Sequence, residues 1–431
     1  MEAVAIPGEV SDLSDACLVD LLQMAPTADV LENLRDEDPE RGFGAKAQAA
    51  LLRCLRHPLV VAHPPGRPYR ERLLKLAALA AERDGLAVDD GLAEAHAEAL
   101  CEQRTSDQWC HKTFVLDVGT SSFSGANPES ADPPAAMYSR HPPFLITARV
   151  SPNLFEGGTG CHEWAAGFFL AELVVSHGAE LFANKRVAEI GPGVGVAATA
   201  LAALTFPPLA ALTLLDRDNE TLTNLAANLA INGVKSTINA RRDTCPTRVR
   251  EERVAAEGNR LDAGVGVGAF REDETKRKQS AALSTPTTPS LARLDWHDFD
   301  PAALASIRAD AVVAADVLYD PTNVPALLDV TAALLGRRKK KEETPGAGVD
   351  ANRGVWTDEP FALFVSAVRQ PATLALFARL AAERGFEPED VTETLGVAPG
   401  VGFRRLAEAQ RAEIRVHALR PPKVEESSVI S

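Results

Sequence analysis

Residues 186–201 read RVAEIGPGVGVAATAL. The apolar run from Val187 to Ile190, broken by Glu189, predicts a buried strand, and the small aliphatic run from Val194 to Leu204 predicts the helix after it. Gly191, Gly193 and Gly195 punctuate the turn between them. A ligand can lie against a backbone only where no Cβ intrudes and positive φ costs nothing. Strand, glycine turn and helix together announce a nucleoside-binding α/β domain.

The order of the glycines narrows the ligand. A dinucleotide site asks for GxGxxG above a helix N-terminus that faces a pyrophosphate. Here the order is E-x-G-x-G-x-G, with Glu189 two residues ahead of the first glycine. A carboxylate is a poor neighbour for a pyrophosphate and a good one for a cation. The pattern resembles that of S-adenosylmethionine (SAM) methyltransferases, whose ligand carries a sulfonium and an amino-acid tail; a nicotinamide dehydrogenase is disfavoured.

Downstream, residues 212–215 form a second strand ending in Asp216, 21 residues after Gly195. An ionised carboxylate there can accept both hydroxyls of a ribose. Asp218 is positioned to cap the next helix, Leu222, Leu225 and Leu229 form its inner face, and Asn232-Gly233 suits its C-cap. The short strand LARLDW presents Asp295 and Trp296 at its end, able to bond and stack an adenine ring. The apolar strand 311–315 delivers Asp316 and Tyr319 to its carboxyl end, where open parallel sheets hold their ligands. Val317-Leu318-Tyr319 lacks the Pro-Pro-aromatic signature of DNA adenine methyltransferases, which weighs against a nucleobase substrate. A helix over 323–335, a strand over 361–368, a helix from Pro371 to Arg384 stopped by Gly385, and a last strand over 413–419 complete the pattern.

Upstream, residues 11–105 read as helical. Leu13, Leu18, Leu21 and Leu22 open the run, and Leu73, Leu76, Leu79 and Ala80 repeat at helical spacing after a turn marked by Pro64, Pro65 and Pro68. His57 and His63 flank that turn as capping or packing residues. Residues 113–118 and 144–150 predict a β-hairpin with a long loop. The glycines of residues 157–160 let the chain turn before a helix whose face carries Trp164, Phe168, Ala171 and Val175. Trp164 near its first turn is placed to cover a ligand or to pack in the core.

Composition bounds the rest. The chain has 431 residues, 45% of them hydrophobic, and a formal charge of −15. That charge disfavours a nucleic-acid partner, since neutralising phosphates takes a basic face. Six cysteines (Cys17, Cys54, Cys101, Cys110, Cys161, Cys245) lack CxxC spacing and indicate reduced thiols with neither a zinc site nor a disulfide framework. The start MEAVAIPGEVSDLSD is unlike a signal peptide, and no apolar run reads as a membrane span, so a soluble cytoplasmic protein is expected. Residues 120–142, 244–290 and 336–358 are charged or rich in Ser, Pro and Gly, and predict disordered insertions. The basic run from Arg337 to Lys341 reads as a solvated loop, and the tail 421–431 as loose.

Put in order, TGCHEWAAGFFLAE, VAEIGPGVG, LLDRD, NLAANLAINGV, RLDW and AADVLY resemble the family 16, seven-β-strand protein lysine methyltransferases. The resemblance implies an α/β, Rossmann-like, seven-stranded class I SAM-dependent methyltransferase over residues 111–420, behind an N-terminal helical region over 1–110. It places Trp164, Glu189, Gly191, Pro192, Gly193, Gly195, Asp216, Asp295, Trp296 and Ala315 around SAM. Asp316 and Tyr319, as a DxxY signature, stand beside the target lysine; no metal is involved. HPLVVAHPP with its helix, and the pair RLDW and VVAADVLY, direct the resemblance to members acting on elongation factor 2, so a monomer with that protein as substrate is expected. Two alternatives stay open: a different protein lysine, such as one on a chaperone, and a SAM-binding module without catalysis. The second draws on Ala165, which stands where relatives carry an acid.

Overall fold

The computed structural model describes residues 13, 15–36, 42–102, 109–118, 144–152, 159–204, 207–238, 287–336, 359–404, 406 and 408–421. The described residues open with six helices, α1 (Ala16–Leu22), α2 (Thr27–Arg35), α3 (Ala45–Leu55), α4 (Pro58–Ala62), α5 (Arg67–Arg83) and α6 (Asp90–Cys101). Their starts follow local chemistry. Asp15 accepts the Cys17 and Leu18 amides at 2.9 and 3.2 Å, and Pro58 and Pro68 occupy first turns, where a missing N–H leaves nothing unpaired. His57 caps α4 by accepting the Leu59 amide at 3.3 Å. The buried stripe of α5 is Leu73, Leu74, Ala77, Ala80 and Ala81. Leu79, expected inside, is exposed, because the 3.6-residue stripe centred on Ala77 turns it away.

Strands β1 (Cys110–Asp117) and β2 (Phe144–Val150) form the antiparallel hairpin, with Cys110 opposite Val150. A two-residue strand, β10 (Gly402–Phe403), adds to the other edge of β1. Period-2 alternation makes this small sheet two-sided. Phe114, Leu116, Phe144, Ile146, Ala148 and Val150 join the main core, while Val115 and Leu145 pack on the helical region. Arg404 ties the layers together, pairing with both oxygens of Asp117 at 2.8 Å and donating to the Leu13 carbonyl.

The outer edge of β2 is closed by side chains. Helix α9 (Asn219–Ile231) carries Asn224 and Asn228, and Asn232 follows as its C-cap, one turn apart each. Asn232 accepts the Thr147 amide at 2.9 Å and donates to the Thr147 carbonyl at 2.7 Å. Asn228 accepts the Arg149 amide at 2.8 Å, and Asn224 donates to the Arg149 carbonyl at 3.0 Å. The three amides stand in for a missing strand and satisfy backbone groups that burial would otherwise leave costly.

The remaining strands, β3 (Arg186–Ile190), β4 (Ala211–Asp216), β5 (Thr237–Ile238), β6 (Ser290–Arg293), β7 (Ala311–Ala315), β8 (Phe361–Ala367), β9 (Glu387–Asp390) and β11 (Ile414–Arg420), build one sheet. Their order is β5-β6-β4-β3-β7-β8-β11-β9. Only β11 runs against its neighbours β8 and β9. Apart from the two-residue edge strand β5, this is the expected seven-stranded sheet. Helices α7 (Ala165–Phe182), α8 (Val196–Ala203) and α9 cover one face; α10 (Pro301–Ala305), α11 (Val324–Leu335) and α12 (Pro371–Glu383) cover the other. From β3 the chain winds outward through β4 to β6, then returns to β7 and winds the opposite way. The crevice beside the carboxyl end of β3 is therefore a topological switch point.

Among the described helices α7 is long and apolar enough to cross a membrane by composition, but 67% of it is buried inside the protein. Its Glu172, fully buried, is paired with Arg411 and accepts the Phe403 amide at 2.7 Å, which fixes α13 (Glu408–Ala412) and β10 to it. Asp218 occupies the N-cap position of α9 without a side-chain hydrogen bond, unlike the expected cap, whereas Asn232 and Gly233 (φ +74°) end it as expected. The scaffold resumes before residue 290: Thr287 already donates to the Leu209 carbonyl at 2.9 Å, and Gly336 belongs to the end of α11. Residues 119–143, 239–286, 337–358 and 422–431, hence the expected insertions, the Arg337–Lys341 loop, the tail and Cys245, lie outside the described residues, as do Gly157 and Gly158. The five described cysteines are free.

Candidate cofactor and catalytic site

Strand β3 ends in a sharp turn. Gly191 and Gly193 have φ of +66° and +54°, and the Gly191 amide donates to the Leu215 carbonyl of β4 at 2.8 Å. A Cβ on Gly193 would lie 3.2 Å from the Gly160 carbonyl oxygen. The glycines thus permit both the conformation and the close approach of the segment before α7. Gly195 answers a different need: its φ is +86°, and a Cβ there would stand 2.4 Å from Leu225, so it lets α8 pack on α9.

Above the turn lies a shallow cleft, open to solvent, lined by His162, Trp164, Gly167, Glu189, the 191–194 turn, Val196, Ala197 and Ala315. Six of the expected cofactor residues (Trp164, Glu189, Gly191, Pro192, Gly193 and Ala315) meet on it. Trp164 is the N-cap of α7 and its indole N–H donates to the Thr159 carbonyl at 3.0 Å, which holds the ring at the rim. Asp216, partly buried at the end of β4, accepts the Gly193 amide at 3.2 Å and the Arg217 amide at 2.8 Å. Asp295 accepts the His297 amide at 3.0 Å and faces Arg217 at 3.9 Å, while Trp296 packs half-buried against the second core. Gly195, Asp216, Asp295 and Trp296 do not line the cleft.

The electrostatics are unusual. Glu189 is 2% exposed and its Oε2 has no hydrogen-bond partner. Burial, reinforced by the charge of Asp216, pushes its carboxyl up to about 8. Burial also raises Asp216, to about 6, against the opposing amides of Gly193 and Arg217. Nε2 of His162, another lining residue, is likewise buried without a partner. His162 was not singled out from the sequence, and its place inside TGCHEW, directly before Trp164, was the available signal. Orphaned buried polar atoms are rare, and here two belong to residues that line one cleft.

Beside the cleft, Asp316 follows Ala315 in a left-handed conformation (φ +55°) that costs a non-glycine residue about 1–2 kcal/mol. Its amide donates to the Val365 carbonyl at 2.8 Å, and its Oδ1 accepts the Ala367 amide at 3.1 Å. Its Oδ2 faces Nη2 of Arg369 at 3.2 Å. Burial raises this carboxyl, opposed by the Ala367 and Ala166 amides and by Arg369. The Arg369 guanidinium lies over the Trp164 ring, 4.9 Å from its centroid. Arg369 had no motif to announce it, because only the fold brings the end of β8 beside β7. Tyr319 stands on the same turn as Asp316 but is 49% exposed. Ala165 opens α7, and Glu163 nearby pairs with Lys112 of β1.

Sheet order and glycine turn define a Rossmann-like α/β fold whose cleft lies at the switch point of the sheet. The chain is similar to protein-lysine N-methyltransferase EEF2KMT of Bos taurus, at 26% identity over 86% of each chain. The Homo sapiens protein of the same name matches at 24% identity over 67% of each. Among solved structures, Pyrococcus horikoshii TYW2 in complex with MeSAdo matches at 12% identity with a TM-score of 0.32, over 82% of this chain and 88% of that one. No family model matches.

Proposed function

We propose that this protein transfers a methyl group from SAM to a lysine of a protein substrate, and that the substrate is elongation factor 2, met in the cytoplasm. The observation that carries the reading is the buried, unpartnered Glu189 carboxyl over the glycine turn, at the switch point of the sheet. An acid there suits a cationic ligand, and the orphaned atoms of Glu189 and His162 are what such a ligand's donors and acceptors would satisfy. Glu189, Gly191, Pro192, Gly193, Trp164 and Ala315 would hold it, with Asp216 at the ribose and Asp295 and Trp296 toward the base. Gly195 serves the turn from below. The activity for which the bovine and human relatives are named supports lysine as the acceptor.

Bound there, SAM supplies an electrophilic methyl group on a sulfonium, open to in-line displacement by an amine. The chain's part is alignment, which can supply about 7–11 kcal/mol of the barrier. Asp316, fixed by the Ala367 amide, orients the incoming amine, and Tyr319 shapes the channel at the exposed rim. The amine must arrive neutral, because an ammonium has no lone pair, and free lysine titrates near 10.4. Incubating the protein with labelled SAM and either purified elongation factor 2 or fractionated cell extract tests the reading. Label on elongation factor 2 supports it; label on another protein alone overturns the substrate, and no label in any fraction overturns the activity.

A further inference from the structure

The Asp316–Arg369 pair poses a chemical problem that it also answers. A carboxylate beside an amine favours the ammonium, so Asp316 alone would hold the substrate lysine in its unreactive form. Asp316 is not alone. Its side chain is 5% exposed and lies 3.2 Å from the Arg369 guanidinium, which is 45% exposed. Arg369 is held from its other side by the Trp164 ring at 4.9 Å, a cation–π arrangement that lets it keep its position when a second cation approaches. Trp164 lines the cleft and Ala315, the residue before Asp316, lines it too. The pair therefore sits where the amine would enter.

We propose that Arg369 is a positioning residue that makes Asp316 part of a neutral ion pair, so that the carboxylate can orient a lysine amine without keeping it protonated. This rests on the methyltransferase reading above. The charged and titratable groups around the pair act in defined ways. Arg369 is the charge felt by Asp316, whose other partners, the Ala367 amide of β8 and the Ala166 amide of α7, are neutral. Tyr319 shares the Asp316 turn, and Glu189 and His162 line the neighbouring cleft. Glu189 belongs to the cofactor cleft, where the positive charge of bound SAM would balance its carboxylate, so it too leaves little net negative charge beside the amine. Arg369 consequently supplies the positive charge that balances Asp316.

The effect is measurable as a displaced pH profile. At an effective dielectric of about 20, a cation roughly 6 Å from the amine lowers its pKa by about 1–2 units. Removing that cation moves the acidic limb of the kcat–pH profile to higher pH by the same amount. The experiment measures methyl transfer by wild type, Arg369→Gln and Arg369→Lys from pH 6.5 to 10, with SAM affinity determined by calorimetry for each. The expected result is an alkaline displacement of about 1–2 units in Arg369→Gln, near wild-type SAM affinity, and a limb restored toward wild type in Arg369→Lys. Arg369→Gln with a lower rate but an unmoved limb overturns the proposal, since loss of packing alone scales the rate at every pH. If Arg369→Gln fails to fold, Arg369→Met takes its place, and a lower rate with an unmoved limb in that variant overturns the proposal equally. Wild type that transfers no methyl group to any protein overturns the underlying reading and this proposal with it, an outcome recognised before any variant is compared.

Discussion

Replacing Glu189 by glutamine should shift stability toward the variant as pH rises. In the folded protein burial holds the Glu189 carboxyl at about 8, whereas in the unfolded chain a glutamate titrates near 4.3. Below pH ~4 both states carry the proton and the group contributes nothing to folding. Between about 4.3 and 8 the unfolded chain ionises while the folded one does not, so folding loses about 1.36 kcal/mol per pH unit, levelling off above the folded value. The loss is about 1 kcal/mol at pH 5 and about 4 kcal/mol at pH 7.5. Glutamine removes this titration, and the cost of its own buried amide does not depend on pH. The stability of Glu189→Gln relative to wild type should therefore rise by about 3 kcal/mol between pH 5 and pH 7.5. Taking about 2.1 cal/mol/K per residue for the unfolding entropy, that is roughly 3–4 °C in Tm. Thermal melts of the cofactor-free proteins at the two pH values read it directly. A wild-type-to-variant difference that stays constant with pH would refute the assignment of a protonated, buried Glu189. The same carboxyl gives a second reading. A cationic ligand favours its ionised form, so SAM binding at pH 7.5 should release a proton in wild type and none from this position in Glu189→Gln, measured by calorimetry in buffers of different ionisation heat.

Two further outcomes follow from the turn and the hairpin. Gly195→Ala must place a side chain at φ +86° and drive Leu225 from its packed position. The cost is about 1–2 kcal/mol of backbone strain plus about 1–3 kcal/mol of overpacking, read as a lower urea midpoint; a change below ~0.5 kcal/mol would contradict the packing role. Asn228→Ala removes one amide that accepts from Arg149 and donates to Val194 at 2.9 Å and Arg149 at 3.2 Å. The Arg149 carbonyl keeps its bond from Asn224, but loss of the Asn228 bonds to the Arg149 amide and the Val194 carbonyl should destabilise the protein by about 2–4 kcal/mol and speed hydrogen exchange at the Arg149 amide; unchanged exchange there would show that the side chain does not close the β2 edge.

What the sequence shows depends on how local the cause is. The turn after β3 was legible because glycine spacing is dictated within seven residues, and the structure places Gly191 and Gly193 at positive φ as that spacing demands. The strands β4, β7 and β8 were legible from apolar runs that a doubly covered parallel sheet requires. The edges were not: β5, β9 and β10 are two to four residues long and owe their pairing to neighbours distant in sequence. The same distance hid Arg369, which meets Asp316 across 53 positions, and the Asn ladder, which bonds α9 to β2 across 75–85 positions. Asn224, Asn228 and Asn232 were readable as one helical stripe, but a polar stripe normally faces water. Gly195 was read as part of the ligand turn, whereas Leu225, on the facing helix, supplies the structural reason for it.

The central claim is that the cleft beside β3 feeds a methyl group to a lysine oriented by Asp316. Its most direct test is transfer of labelled methyl from SAM to purified elongation factor 2 by wild type and by Asp316→Ala, with SAM affinity measured for both. The account predicts label on a lysine with wild type, none with Asp316→Ala, and SAM affinities within a few-fold of each other. Full transfer by Asp316→Ala, or loss of SAM binding in that variant, would contradict it.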